Sequence, residues 1–339
     1  MTTRTARIDV HLTPADARAA LRADVLLGLT AQLKHLPPTY FYDARGSALF
    51  EQITALPEYY PTRTEAALLT AHVDEIAGLT GPDTLIELGS GSSAKTRLLL
   101  DALGRAGRLT RYVPLDVSTA ALREALDALA ARYPALALHG VVGDFTTHLD
   151  RLPRDGGAGD RRLLAFLGGT IGNLEPGQRA AFLARVRTAL QPGEHLLLGA
   201  ALVTEPEVLV AAYDDATGVT AEFNRNVLHV LNRELHADLD VAAFAHVALW
   251  DTEREWIEMR LRALRPMAVT VRDLGLVVEF AAGEDLRTEI SAKFRLDGLA
   301  AELTAAGLRP ERTWVDPLHR FVLTLAASTP RGPRTGRRG

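Results

Sequence analysis

From Thr84 onward, short apolar runs alternate with stretches of helical periodicity. Runs at Thr84–Leu88, Arg111–Leu115, Leu136–Val142, Leu163–Leu167 and His195–Leu202 predict strands, with helices near residues 94–103, 118–132 and 175–190 between them. That alternation implies a parallel sheet covered on both faces. Upstream, Thr13-Pro14-Ala15-Asp16 combines a cap, a proline in the first turn and an acid, and predicts a helix running to about Leu33. The segment from Leu36 to Thr64 reads as irregular. It concentrates Tyr40, Phe41, Tyr42, Phe50, Tyr59 and Tyr60, which suits either a hydrophobic belt or a lined pocket.

After Val203 the alternation stops. Glu205–Thr217 and Ala221–Leu235 read as helices. Glu255–Leu264 alternates, placing Ile257, Met259, Leu261 and Ala263 on one face, and Met267–Phe280 reads as a second extended region. Helical periodicity returns at Asp297–Ala306, and strands at Thr313–Asp316 and Arg320–Ala326 close the pattern. Arg154–Arg162 reads as a polar, glycine-rich surface loop, and the Pro-, Gly- and Arg-rich tail 329–339 as disordered.

Composition narrows the function. The 339 residues are 47% hydrophobic and 24% charged, and a net charge of −4 supplies no basic field for gripping nucleic acid. The absence of cysteine excludes disulfides, thiolate metal sites, cysteine nucleophiles and cysteine-ligated iron–sulfur clusters. No stretch reads as a signal peptide or a membrane span, so a cytoplasmic location is expected. Only Lys34, Lys95 and Lys293 are lysines among the 38 basic residues.

The chemistry concentrates in Leu85-Ile-Glu-Leu-Gly89-Ser-Gly91-Ser-Ser-Ala-Lys95-Thr96, a strand, a glycine turn and a helix start. As a phosphate loop it fits at Gly89, Lys95 and Thr96 but has Ala94 where a glycine is required. As a dinucleotide fingerprint it lacks the third glycine. As E-x-G-x-G, the first motif of methyltransferases, Glu87, Gly89 and Gly91 are in register. The later strand ends decide among these. Asp116 closes the second strand, where a carboxylate can accept both ribose hydroxyls, and Asp144-Phe145 closes the third, suited to an adenine amino group and ring face. Two such acids suit a nucleoside without phosphates and would repel a triphosphate. Either aspartate could alternatively cap the helix that follows it. The ligand expected is S-adenosylmethionine, used for polar methyl transfer, because radical use of it requires thiolates.

With these motifs assembled, the sequence resembles the L-histidine Nα-methyltransferases of ergothioneine biosynthesis from about Leu36 to Ala327. The resemblance rests on Phe41-Tyr-Asp-Ala, Leu56-Pro-Glu-Tyr-Tyr-Pro-Thr-Arg-Thr-Glu65, Glu87-Leu-Gly-Ser-Gly, Lys95-Thr, Phe166-Leu-Gly-Gly-Thr-Ile-Gly-Asn173, Ala212-Tyr-Asp-Asp, Phe223-Asn-Arg-Asn and Thr288-Glu-Ile-Ser-Ala-Lys-Phe294. It implies an α/β class I methyltransferase fold, Rossmann-like, with a mostly parallel sheet in residues 63–203 and 292–328. A second, mixed α/β substrate-binding domain would comprise residues 10–62 and 204–291.

The resemblance also implies site residues. Gly89, Lys95, Asp116, Asp144 and Phe145 fall on cofactor-binding positions. Tyr59, Gly168, Asn173 and Tyr213 fall on positions that hold the backbone end of the amino acid, with Tyr42 and Phe50 near the methylated nitrogen. Tyr42 and Asn173 take the catalytic positions. Glu289 and Ser291 match the imidazole-binding pair, and Met259 lies against the ring. From spacing alone, Glu289 could equally be a solvated strand residue and Asn173 a helix cap. The implied reaction is trimethylation of free L-histidine by a monomer, releasing S-adenosylhomocysteine, with no metal, nucleic-acid or membrane partner. Rival readings are an N-methyltransferase of tryptophan or a derivative, a nucleoside triphosphatase, and a non-catalytic binding protein.

Overall fold

A computed structural model describes residues 6–91, 95–154 and 161–329. In chain order its strands and helices are β1 (Arg7–Val10), α1 (Pro14–Thr30), α2 (Ala44–Ala55), α3 (Tyr60–Thr80), β2 (Thr84–Leu88), α4 (Thr96–Arg105), β3 (Arg111–Asp116), α5 (Thr119–Arg132), β4 (Ala137–Val142), β5 (Arg162–Phe166), α6 (Pro176–Ala189), β6 (His195–Ala201), α7 (Pro206–Ala211) and α8 (Val219–Glu234). They continue with β7 (Phe244–Asp251), β8 (Trp256–Ala263), β9 (Met267–Val271), β10 (Leu276–Phe280), β11 (Asp285–Ala292), α9 (Leu296–Ala305), β12 (Leu308–Val315) and β13 (Phe321–Ser328).

The apolar runs become the centre of an eight-stranded sheet, in the order β1-β4-β3-β2-β5-β6-β13-β12. The strands from β1 through β6 pair in parallel, and β13 and β12 add antiparallel. Period-two alternation splits their side chains between two cores. Ile86, Val113, Leu164 and Leu198 pack under α6 and α9, while Leu85, Tyr112, Leu163 and Leu197 pack under α3, α4 and α5. The strand order reverses between β2 and β5, and such a reversal opens a crevice at the carboxyl ends of the strands.

A third hydrophobic core joins α1, α2, α8 and the three-stranded antiparallel sheet β11-β8-β7. Several expectations change here. The 36–64 segment is not irregular: it contains α2 and the start of α3, with Asp43 capping α2 through Gly46 N–H at 2.8 Å. The region 267–280 is a β9–β10 hairpin, turned at Gly275 with φ 59°. The helix predicted over 205–217 ends at Ala211. β1 and β7 had no counterpart in the sequence reading, and both are strands without a consistently buried face. The tail from residue 330 and loop residues 155–160 lie outside the described residues. No helix among the described residues is long and apolar enough to cross a membrane.

The turn Thr170–Asn173 packs tightly against the end of β11. A Cβ built on Gly172 would lie 2.6 Å from the Ala292 carbonyl oxygen, a backbone atom that cannot yield cheaply. Gly172→Ala is expected to destabilise the protein by about 1–3 kcal/mol. Gly177→Ala, where an added Cβ meets nothing within 4 Å, should leave stability unchanged or raised. Urea denaturation of the two variants checks the contrast.

Candidate active site

After β2 the chain reverses through Gly89 (φ 68°) and Gly91 (φ 47°), backbone angles that side-chain-bearing residues rarely adopt. Among the described residues a Cβ at either would meet nothing within 4 Å, and it is the backbone conformation that demands glycine here. Beside this turn, the Asp116 carboxylate at the end of β3 accepts from Ser118 N at 2.9 Å and Gly91 N at 3.2 Å. A carboxylate has about four acceptor positions, so capacity for a diol remains. Burial raises the Asp116 carboxyl above the usual range, opposed by the backbone donors. Asp144 follows β4 and accepts from Thr146 N at 2.6 Å and Thr146 Oγ1 at 2.7 Å. Phe145 is half-buried, its ring 5.1 Å from Phe166 and 5.7 Å from Phe182. Glycines, acids and an aromatic at three successive strand ends fit a nucleoside.

Two acids brace this crevice from below. Glu87 accepts from Thr96 Oγ1 at 2.6 Å and from the Tyr112 hydroxyl, and burial pushes it up to about 7 against those bonds. Glu65 on α3 is fully buried and receives both the Lys95 ammonium and the Gly168 N–H, the latter at 2.8 Å. Lys95, expected at the cofactor, is thus held in place by Glu65, which the sequence reading did not single out. Its signal is an acid in helical register with the buried Pro61, Leu68, Leu69 and Val73.

Beyond Gly168 lies a partly open cavity. Every residue assigned to the amino acid lines it: Tyr42, Phe50, Tyr59, Gly168, Asn173, Tyr213, Met259, Glu289 and Ser291. Its apolar wall is an aromatic box, with ring centroids 5.5 Å apart for Tyr42–Phe50, 5.9 Å for Phe50–Phe223 and 6.1 Å for Tyr59–Tyr213. Burial raises the phenols of Tyr42, Tyr59 and Tyr213, so all three keep their protons. The polar wall comes from β11, whose Glu289 pairs with Met259 of β8.

Glu289 is only 8% exposed, which excludes the solvated-strand reading, and it has no hydrogen-bond partner among the described residues. Burial pushes its carboxyl up to about 8, opposed by the Lys293 ammonium. Ser291 Oγ lies 2.7 Å from the Tyr213 hydroxyl. Thr220, Phe223 and Lys293 also line the cavity, and Thr220 Oγ1 is buried without a partner. The sequence reading did not place these three in the site. The Gly89, Asp116, Asp144 and Phe145 set lies outside the cavity wall, and Lys95 Nζ, 3.8 Å from a Cβ built on Gly168, marks the junction.

A doubly wound sheet with a nucleoside crevice, opening beside an aromatic cavity for a small polar molecule, defines an S-adenosylmethionine-dependent small-molecule methyltransferase. The chain belongs to the histidine-specific, SAM-dependent methyltransferase family, whose model matches residues 21–328. It is 54% identical to a histidine N-alpha-methyltransferase of Mycolicibacterium smegmatis over 93% of this chain and 97% of the relative. It is 52% identical to that of Mycobacterium tuberculosis, over 94% and 98% respectively. A 4-dimethylallyltryptophan N-methyltransferase of Claviceps purpurea is 32% identical over 53% of this chain and 52% of the relative.

The raised Glu87 carboxyl has a consequence for stability. The folded state keeps a proton that the unfolded chain releases above its ordinary value near 4.5. The resulting stabilisation is present below about pH 4.5 and lost as the pH rises to about 7. Glu87→Gln is therefore expected to flatten the decline between pH 5 and 7.5 by on the order of 2–3 kcal/mol. Urea denaturation at the two pH values measures it. Asp116 and Glu289 act with the same sign in both proteins and cancel in the difference.

Proposed function

We propose that this chain transfers three methyl groups from S-adenosylmethionine to the α-amino group of free L-histidine, giving hercynine at the start of ergothioneine biosynthesis. The observation that carries the substrate is Glu289, a buried carboxyl group with no hydrogen-bond partner among the described residues, aligned with Ser291 on one cavity wall. Imidazole differs from other rings of its size in carrying N–H donors, and a site that selects it needs a buried acceptor. Family membership and the two close relatives point to the same substrate. We also read the protein as a cytoplasmic monomer without nucleic-acid or membrane partners; of these, the charge balance supports the reading for nucleic acid.

S-adenosylmethionine, when bound, supplies a methyl group made electrophilic by its sulfonium. Gly89, Asp116, Asp144 and Phe145 would hold it, with Lys95 anchored by Glu65 at the crevice mouth. The remaining work falls to the cavity. An α-ammonium has no lone pair, and its reference pKa near ~8 keeps it mostly protonated at neutral pH. Enclosure by Tyr42, Phe50, Tyr59 and Phe223 disfavours a small, strongly hydrated ammonium, so the nitrogen gives its proton to solvent before each transfer and binds as the nucleophilic amine. Tyr42 keeps its phenolic proton, so it serves as a positioned hydroxyl beside the nitrogen and not as a phenolate base. Asn173 offers both a donor and an acceptor to the amino acid's backbone end, which fixes the approach to the methyl group. Each methylation enlarges an apolar cationic head, and the aromatic box can hold it by cation–π attraction of ~0.5–2 kcal/mol.

Mass spectrometry of histidine incubated with the protein and excess S-adenosylmethionine is expected to show the trimethylated α-amine. Methyl on an imidazole nitrogen, or a halt at one methyl, refutes this. Asp116→Ala should weaken cofactor binding by ~1–3 kcal/mol in calorimetry. Glu289→Ala should raise the KM for histidine ten-fold or more and spare the cofactor. If histidine then binds normally, the imidazole contact lies elsewhere and tryptophan-type substrates return.

A further inference from the structure

The row of polar side chains on β11 does not stop at Ser291. Lys293 follows two residues later, just past the strand's end, and the alternation brings Glu289, Ser291 and Lys293 to one cavity wall. Its main chain is fixed, the N–H donating to the Glu255 carbonyl at 2.8 Å. The side chain is 4% exposed, and its ammonium donates to the Tyr213 hydroxyl at 2.9 Å and to Ser291 Oγ at 2.7 Å. It also lies 4.7 Å from the centre of the Tyr213 ring.

No carboxylate among the described residues comes within ion-pair distance of it. The arginines nearest along the outer side of this segment have their own acids: Arg179 with Glu302, Arg254 with Asp251 and Arg295 with Glu255. A buried cation without an anion is costly, and burial accordingly pushes Lys293 down to about 7, with the charge of Glu289 opposing. The cost is recovered only when an anion arrives.

Proton counting shows where that anion would be felt. Both hydroxyl oxygens already accept from Lys293, and the Tyr213–Ser291 contact at 2.7 Å uses one of the two O–H groups. One O–H remains, polarised by the ammonium behind it, and the cavity is where it can be used. Charge-assisted donors of this kind are about twice as strong as neutral ones.

We propose that Lys293 is a positioning residue that supplies the positive charge for the substrate's carboxylate, acting through the Tyr213 hydroxyl it orients, while Ser291 stays with the ring. The proposal rests on the reading of the cavity as the histidine site. It gives β11 a division of labour, with Glu289 serving the ring and Lys293 the carboxylate.

The test compares histidine with histamine, which has the same ring and amine but no carboxylate. Affinities are measured by calorimetry in the presence of S-adenosylhomocysteine. Lys293→Met is expected to weaken histidine at least twenty-fold and histamine less than three-fold. S-adenosylhomocysteine affinity should change less than two-fold, and the loss of activity should lie mainly in KM and not in kcat. Equal losses for histidine and histamine would show that Lys293 merely braces the cavity and would overturn the proposal.

Lys293→Gln keeps N–H donors but removes the charge, and it serves also if the methionine variant does not fold. It should still lower the histidine-to-histamine affinity ratio at least five-fold, whereas full retention of that ratio would overturn the role of charge. Glu289→Ala, run alongside, separates the two readings. If it leaves histidine binding intact, the cavity assignment fails; if it behaves as expected while the Lys293 variants bind normally, only the carboxylate role fails.

Discussion

One buried carboxylate fixes the relation between the two halves of the site. Glu65 projects from α3 into a place where it meets the Lys95 ammonium, the Gly168 N–H and the backbone of β6, a Cβ built on Gly199 lying 2.0 Å from its oxygen. Those contacts come from the helix after the glycine turn, the loop after β5 and the sheet itself. Taking a carboxylate out of water costs several kcal/mol unless its acceptor positions are filled, and here they are filled by groups on different elements. The nucleoside crevice and the amino-acid loop are thereby held in register through a single side chain. Methyl transfer depends on such registration, because misplacement by an ångström is costly to an in-line displacement.

The covering layer solves a different problem, that of keeping a polar strand buried. Behind β11, Thr288 donates to Asn224 at 2.6 Å, and Asn224 donates to His246 Nδ1 at 2.8 Å. His246 in turn reaches the Tyr213 carbonyl at 2.8 Å. Burial lowers His246, which keeps the ring neutral, so its one N–H sits on Nε2 and is given to Tyr213. The chain of bonds locks β11 to the segment that carries Tyr213. The hydrophobic cluster of this layer, from Leu21 to Leu286, supplies the low-dielectric surroundings in which its polar groups act strongly.

Legibility followed physical redundancy. Strands such as Leu85–Leu88 and Leu163–Phe166 are buried on both faces and announce themselves as continuous apolar runs, so the centre of the sheet could be read directly. β1 has only four residues, Arg7-Ile-Asp-Val10, none of them buried, and such an edge strand leaves no periodic trace. α3 opens on Tyr-Pro-Thr-Arg-Thr-Glu and buries an acid, which blurs the helical pattern. In the site, Gly89, Gly91 and Asp116 were readable because backbone geometry and strand ends constrain them. Met259 and Glu289 are ordinary strand residues and Tyr213 lies in the turn after α7, and only the family resemblance marked them. Lys293 continues the same alternation as Glu289 and Ser291, and the period-two rule reaches it once the strand is known to be buried.

The outer strands of the main sheet bear on how the molecule behaves in a crowded solution. At one margin β1 is short and carries the paired charges of Arg7 and Asp9. At the other, β12 contains Pro310, shifts register between Pro310 and Arg312, and sets Arg309 against Glu311. Proline, a bulge and clustered charge each interrupt the ladder of free N–H and C=O groups that a stray strand would need for docking. A sheet this apolar at its centre would otherwise be a template for cross-chain aggregation, and both of its exits are closed to that growth.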